Sequence, residues 1–231
     1  MLIWERPEPP DRPTPAPLSR ERIVRAAIRL ADADGLDAVS LRKVAAALDV
    51  GPMRLYGYLG TKEELLDLMV DAVQAEIRPA GDGWREVLRS LAEAIRRAVH
   101  RHEWYADLIG GRPQFGPNAL ARSEALMAGL DGIDVDSVMP AVSAVDSYVA
   151  GAVRKEIAER RAERATGMDK HQYQVAYGPY LERAFATGRF PALEKVVRDA
   201  VHLDADETFR IGLDCVLDGI AARLAAPGQP S

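Results

Sequence analysis

Residues 40–66 read SLRKVAAALDVGPMRLYGYLGTKEELL. Two short runs with helical apolar spacing flank Asp49-Val50-Gly51-Pro52. Ser40 stands where an N-cap belongs, and Leu41, Val44, Ala45 and Leu48 then share one helical face. Gly51 breaks that helix, and Pro52 suits the first position of a new one, where its missing amide loses no partner. Leu55 and Leu59, four residues apart, pin the second helix, read as 52–59, to a core. Thr61 with Glu64 reads as a capping box opening a third helix of the stretch, striped by Leu65, Met69, Val73 and Ile77. Two helices meeting across a short turn with glycine form a helix-turn-helix, although spacing alone also admits an ordinary helical corner. In the first reading the second helix enters the major groove while tyrosines and helix N-termini hold phosphates, so Tyr56 and Tyr58 are expected to be exposed.

The pattern continues outward in both directions. Apolar residues recur at helical spacing almost everywhere and no period-2 strand appears, so the fold class is all-α. Ser19 is expected to cap a helix burying Ile23, Ala26, Ala27, Leu30 and Ala31 that stops before Gly35. Beyond residue 80 the spacing predicts helices over 84–102, about 104–109, 118–130, about 137–164 with Pro140 at its third position, 170–187, a piece after Pro191, and 206–224. Residues 1–17 hold six prolines and are read as an unpacked arm. The domains expected are that arm, a three-helix DNA-binding unit at 18–66, and a helical bundle at 67–226.

Bulk properties narrow the function classes. Across 231 residues, hydrophobic content is 48% and charged content 28%, which suits a globular protein. No apolar run reaches the roughly 18 residues of a membrane span, and the first residues lack an apolar signal core, so a cytoplasmic protein without a membrane partner is expected. The single cysteine, Cys215, rules out an internal disulfide and a multi-cysteine metal site. The net charge of −5 is unevenly spread. Residues 19–62 carry eight Lys/Arg against five acids, while the segment from Glu63 onward is at −7. A mildly basic module on an acidic body fits a protein that meets phosphate at one end, and chance variation of surface charge fits as well. His100 and His102 lie two apart and point in nearly opposite directions on a helix, so no shared metal ion, and no cofactor, is expected there.

The run LSRERIVRAAIRLADADGLDAVSLRKVAAALDVGPMRLYGYLGTKEELLDLM, residues 18–69, closely resembles the DNA-binding domain of the tetracycline-repressor family of bacterial transcription regulators. The segments GDGWREVLRSLAEAIRRAVHRH, GGRP, MPAVSAVDSYVAGAV and FRIGLDCVLDGIAARL resemble the C-terminal domain of the tetracycline-repressor subgroup. The resemblance implies a repressor released from a palindromic DNA operator by a small effector. It also implies DNA contacts from Ser40, Arg42, Pro52, Met53, Arg54, Tyr56, Tyr58, Thr61 and Lys62. Arg54 stands as the direct base reader, and Tyr56 and Lys62 as phosphate ligands. Gly51 and Gly57 depart from the family's usual polar or larger residues.

For the body, the resemblance implies a homodimer joined through the helices at about 137–164 and 206–224, and an effector pocket inside the bundle. The last helix carries an apolar stripe from Phe209 to Leu224 beside the small residues Gly212, Cys215 and Gly219, which suits a partner helix or a core helix of the same subunit. Leu91, Ile95, Leu108, Arg112, Pro113 and Ser147 resemble the subgroup's ligand-lining positions, and Trp104, Tyr105, Phe115 and Tyr148 are aromatics able to wall an apolar or aromatic effector. Leu108 and Lys155 replace metal-chelating residues of the namesake, which argues against a tetracycline–magnesium ligand. An alternative from another class is a helical enzyme using the same cavity. It predicts a strongly shifted titrating group in a polar cleft, where a sensor predicts a mostly apolar one.

Overall fold

The computed structural model describes residues 2–10, 17–110, 115–201 and 203–225. The Ser19 side chain accepts from the Arg22 amide and starts α1 (Arg20–Asp34), and Gly35, at φ 80°, ends it by donating its N–H to Ala31. Ser40 caps α2 (Leu41–Ala47) in the same way through the Lys43 amide. The chain then turns through Asp49, whose φ of 54° is the left-handed conformation that a short polar side chain tolerates. Gly51, expected to make the break, has an ordinary extended backbone and open space around it. Its neighbour Pro52 opens α3, which covers only Pro52–Leu55, shorter than the 52–59 expected, because Tyr56-Gly57 leaves the helix in a turn. The Thr61 side chain accepts from the Glu64 amide and opens α4 (Lys62–Gln74), while the Glu64 carboxylate reaches back one residue further than a capping box, to the Gly60 amide at 2.6 Å.

Ile23, Ala27, Val44, Leu55, Leu59, Leu65 and Met69 meet as one buried core beneath these four helices. Tyr58, expected to be exposed, is 7% exposed and belongs to that core. The physical reason is the early end of α3: the following turn swings the Tyr58 ring inward beside Leu59 while Tyr56, 52% exposed, stays outside.

The N-terminal arm also differs from its expectation. Ile3 is buried and Trp4 packs against the core. The Arg6 guanidinium holds Glu64 through two bonds of 2.6 and 3.0 Å, and Arg20 donates to the carbonyls of Arg6 and Tyr58 at 2.6 and 3.1 Å. Prolines bar a helix here, but they do not bar an extended strap held by side chains. Residues 11–16 lie outside the described ones. Arg6, and after it the Gly60 amide, hold the Glu64 carboxyl below the usual carboxylate range. A depressed folded pKa gives stability that is present above the ordinary carboxylate pKa and lost as pH falls through the folded one. Arg6→Ala should therefore lower the melting temperature at pH 7, with the gap closing as pH drops below about 4.

The body begins at α5 (Trp84–Arg101), followed by a 3-10 turn at Glu103–Asp107, α6 (Pro117–Gly129), α7 (Val135–Thr166), α8 (Lys170–Phe185), α9 (Pro191–Asp199) and α10 (Ala205–Ala225). Among the described residues the structure is ten α-helices with short 3-10 turns and no strand. α5 buries Val87, Leu88, Leu91, Ile95 and Ala98 against the α7 stripe of Val142, Val145, Val149 and Val153 and against Leu213 and Leu217 of α10. Ion pairs line the solvent edge of that packing, Arg89 with Asp214 at 2.5 Å and Arg96 with Glu156 at 3.0 Å and Asp206 at 2.7 Å. α7 starts earlier than the Ser137 cap implied: Asp134 O accepts from the Ser137 and Val138 amides, so Pro140 lies inside the helix on its exposed side. The domain boundary expected at 66/67 falls within α4, which runs from the head into the body as one helix.

Candidate DNA-reading head and effector interior

The head carries exposed side chains at the starts of its helices. Arg42 and Lys43 at the start of α2, Pro52 and Met53 at the start of α3, Tyr56 after it, and Thr61 and Lys62 at the start of α4 are all exposed, Met53 at 79%. Arg54 is half-buried at the end of α3. Ser40 and Thr61 spend their oxygens as helix caps, so each hydroxyl keeps its proton for an outside acceptor. Lys43 is exposed beside Arg42, although the expected set did not include it. Its signal was plain in retrospect, since positions 42 and 43 both fall on the first turn of a capped helix. Tyr58 is the one residue of the expected set that the structure withdraws from the surface.

Behind the head, α4 is fastened to the body at its far end. The buried Asp71 carboxylate accepts from the Asn118 amide at 3.1 Å, the Ala119 amide at 2.9 Å and the Asn118 side chain at 2.9 Å, capping the N-terminus of α6 from another helix. A Cβ on Gly116 would collide with that carboxylate, so glycine is required there. Gln74 donates to the Tyr105 hydroxyl at 2.8 Å. One step further, the buried His102 places Nδ1 2.8 Å from Asp32 of α1 and Nε2 3.2 Å from Glu76, and Trp104 donates to the same Asp32 oxygen at 2.7 Å. His100 pairs separately with Glu156 at 2.6 Å. The two histidines thus go to different partners, and among the described residues no group of three or more His, Cys, Asp or Glu could hold a metal ion.

The expected pocket residues divide. Leu91, Ile95 and Tyr105 are buried inside the bundle and Leu108 is half-buried. Trp104 is buried too, but its ring nitrogen faces α1, so it seals the junction. Phe115 is 66% exposed and Ser147 is exposed on the outer face of α7, so neither lines the interior. Tyr148 turns toward α10: its hydroxyl donates to Phe209 O at 2.7 Å, and Gly212 packs directly against its ring. Arg112 and Pro113 lie outside the described residues. Sequence reasoning missed the polar groups that do point inward, Asp71, Gln74, Arg122 and Asp146. Burial pushes the Tyr105 phenol up to about 12 and raises the Asp146 carboxyl, in both cases partly offset by Arg122. A phenol so raised is a hydrogen-bond donor and not a base.

On the outside of the body, Pro140, Ala141, Ala144, Val216, Gly219 and Ile220 line an apolar groove of about 320 Å³ between α7 and α10. Gly219 and Cys215 open into it, whereas Gly212 is used up within the subunit, so the small-residue strip expected on α10 serves two purposes.

The comparisons with known proteins agree with this geometry. Residues 23–69 match the family described as "Bacterial regulatory proteins, tetR family" and residues 78–224 match "Tetracyclin repressor-like, C-terminal domain". The chain is 35% identical to the HTH-type transcriptional repressor DrrR1 of Streptomyces coeruleorubidus, over 97% of this chain and 85% of that one. It is 39% identical to an HTH-type transcriptional regulator of Saccharopolyspora erythraea, over 71% of each. The TetR family protein ActR of Streptomyces coelicolor, solved in complex with actinorhodin, superposes with a TM-score of 0.77 at 28% identity over 91% of this chain and 100% of that one. A helix-turn-helix head on a helical sensing body defines the class, a ligand-responsive transcription regulator. The chain belongs to the tetR family of bacterial regulatory proteins and is not an enzyme. Among the described residues no helix is long and apolar enough to cross a membrane.

Proposed function

We propose that the protein is a homodimeric repressor that grips a palindromic operator through the starts of α2, α3 and α4 and leaves it when a small apolar or aromatic effector enters the interior between α4, α5, α6 and α7. The observation that carries this reading is α4. It carries Thr61 and Lys62 at the DNA-facing end and Asp71 and Gln74 at the end tied to α6 and Tyr105, about 14–20 Å away at 1.5 Å per residue. A shift of α6 therefore reaches the head through a rigid lever. The effector acts only through its preference for one of the two head arrangements, and inverting a 99:1 population takes about 5.5 kcal/mol of that preference. The neighbour ActR, solved in complex with actinorhodin, supports a body that takes a ligand.

Within the head, Arg54 reads a base edge, Tyr56 and Lys62 hold phosphates, and Ser40, Arg42, Pro52, Met53 and Thr61 complete the contact. Two heads on a dimer meet half-sites about 34–36 Å apart. Support for the second copy comes from two exposed apolar regions. One is the α7–α10 groove. The other is α8–α9, which buries only Phe185 while Tyr173, Val175, Tyr180, Leu193 and Val196 are exposed. Gly219 has no atom within 4 Å of an added Cβ, so Gly219→Arg is accommodated in the single subunit yet blocks close helix approach. Sedimentation should show that variant as a folded monomer with operator binding lost; a stable dimer would remove this interface. Selecting bound fragments from random DNA, then screening small aromatics for release, tests the function as a whole. Recovery of no common sequence would refute it.

A further inference from the structure

We propose that Gln74, Tyr105, Arg122 and Asp146 form a polar anchor inside the effector site, selecting an aromatic ligand that carries a hydroxyl beside a carboxylate or ketone. This rests on the effector reading above and narrows its ligand class.

The four side chains come from four elements, α4, the 3-10 turn, α6 and α7, whose other buried side chains are mostly apolar. Gln74 Nε2 donates to the Tyr105 hydroxyl, which keeps its own proton to donate. Among the described residues, two buried side-chain atoms have no hydrogen-bond partner, Gln74 Oε1 and Arg122 Nε. Both belong to this cluster. Buried polar groups are almost always paired, because leaving one bare forfeits its hydration with nothing in return. Arg122 opposes the rise that burial causes in both the Tyr105 phenol and the Asp146 carboxyl, and among the described residues it forms no salt bridge within 4 Å with Asp146.

The unmet demands are complementary and specific. Arg122 offers an N–H to an anionic or carbonyl oxygen, and its charge favours the anion. Gln74 Oε1 asks for an O–H or N–H. Burial raises the Asp146 carboxyl above its ordinary value, and Arg122 opposes part of that rise. A hydroxyl and a carboxylate on adjacent ring carbons meet both demands at once, while the aromatic body lies against the apolar helices. A purely apolar aromatic meets neither. Because Gln74 is the last residue of α4, a ligand engaging it pulls on the helix that carries Lys62.

The test uses the full-length protein with four naphthalenes: 3-hydroxy-2-naphthoate, 2-naphthoate, 2-naphthol and 2-methylnaphthalene. Binding is followed by fluorescence and calorimetry, and release of the selected operator is measured alongside. The anchor predicts at least tenfold tighter binding of 3-hydroxy-2-naphthoate than of 2-methylnaphthalene. Arg122→Met should erase the advantage conferred by the carboxylate and Gln74→Leu that conferred by the hydroxyl. The readout in both variants is affinity relative to 2-methylnaphthalene; Arg122→Met removes a buried N–H that has no partner and should melt no lower than wild type, whereas Gln74→Leu also gives up the bond to Tyr105 and should melt slightly lower. Equal affinity for all four compounds overturns the anchor but leaves the effector reading standing, with water filling the site. An undiminished preference in Arg122→Met places the ligand elsewhere and also overturns it. If none of the four binds, this ligand class is wrong, and the wider release screen still judges the effector reading on its own.

Discussion

Asp71→Ala should separate DNA binding from its control. The carboxylate satisfies two backbone amides and one side-chain amide at the start of α6 in a nearly water-free position. Each buried donor stripped of its acceptor costs about 1–3 kcal/mol, and hydrogen bonds to a charged group lie at the upper end. A total near 3 kcal/mol is expected, since water refills part of the space. For a chain of this size that lowers the melting temperature by roughly 6–12 °C, on a slope of about 2–4 °C per kcal/mol. The functional effect is larger in kind. The head's own core, from Ile23 to Met69, does not depend on Asp71, so operator affinity should stay within a few-fold of wild type. Effector binding should persist, yet release should be lost, because α6 no longer drags α4. Calorimetry and operator-release titrations check both parts. A variant that still releases DNA normally would show that the signal travels by another route, with the His102 seam to Asp32 and Glu76 as the next candidate.

Arg54→Ala should relax sequence choice. A guanidinium paired bidentately with a guanine edge contributes about 1–3 kcal/mol of discrimination, roughly five- to 150-fold. The loss should fall on the operator and hardly at all on random DNA. Lys62→Ala should do the reverse, weakening both equally and lowering the salt slope by about one unit, since a phosphate contact carries no sequence information. Equal losses on operator and random DNA for Arg54→Ala would remove its base-reading role and leave Met53 as the exposed residue at the groove end.

Much of this was legible in the chain. The caps at Ser19, Ser40 and Thr61 and the stripes they precede put the helices in place, because capping and amphipathic spacing act locally. What escaped was set by tertiary geometry. Tyr58 reads like its neighbour Tyr56, and only the end of α3 after Leu55 decides which ring goes in. The proline-rich start reads as a free arm, yet Ile3 and Trp4 packed on the core, Arg6 meeting Glu64 across 58 residues and Arg20 holding the Arg6 carbonyl tie it down. Ser147 resembles a pocket-lining position and Phe115 reads as a nearby aromatic wall, but both are exposed here.

The interior polar groups left a trace that spacing arguments can recover. Arg122 interrupts the stripe Ala119–Leu126, and Asp146 interrupts Val142–Val149, each at three- and four-residue intervals. A charged residue on the apolar face of a helix has to meet something polar inside, and that is a better guide to a binding site than an aromatic count. Aromatics such as Trp104 serve the seam between head and body instead.

On the proposed reading, the exposed starts of α2, α3 and α4 together hold DNA. Its most direct test is the salt dependence of binding to the selected operator, measured for wild type and for a combined Arg42→Ala, Tyr56→Phe, Lys62→Ala variant. A steep wild-type slope is expected, falling by about two units in the variant, one for each lost cation, with operator and random DNA weakened alike. A slope unchanged by the three substitutions would mean that DNA is held by another surface.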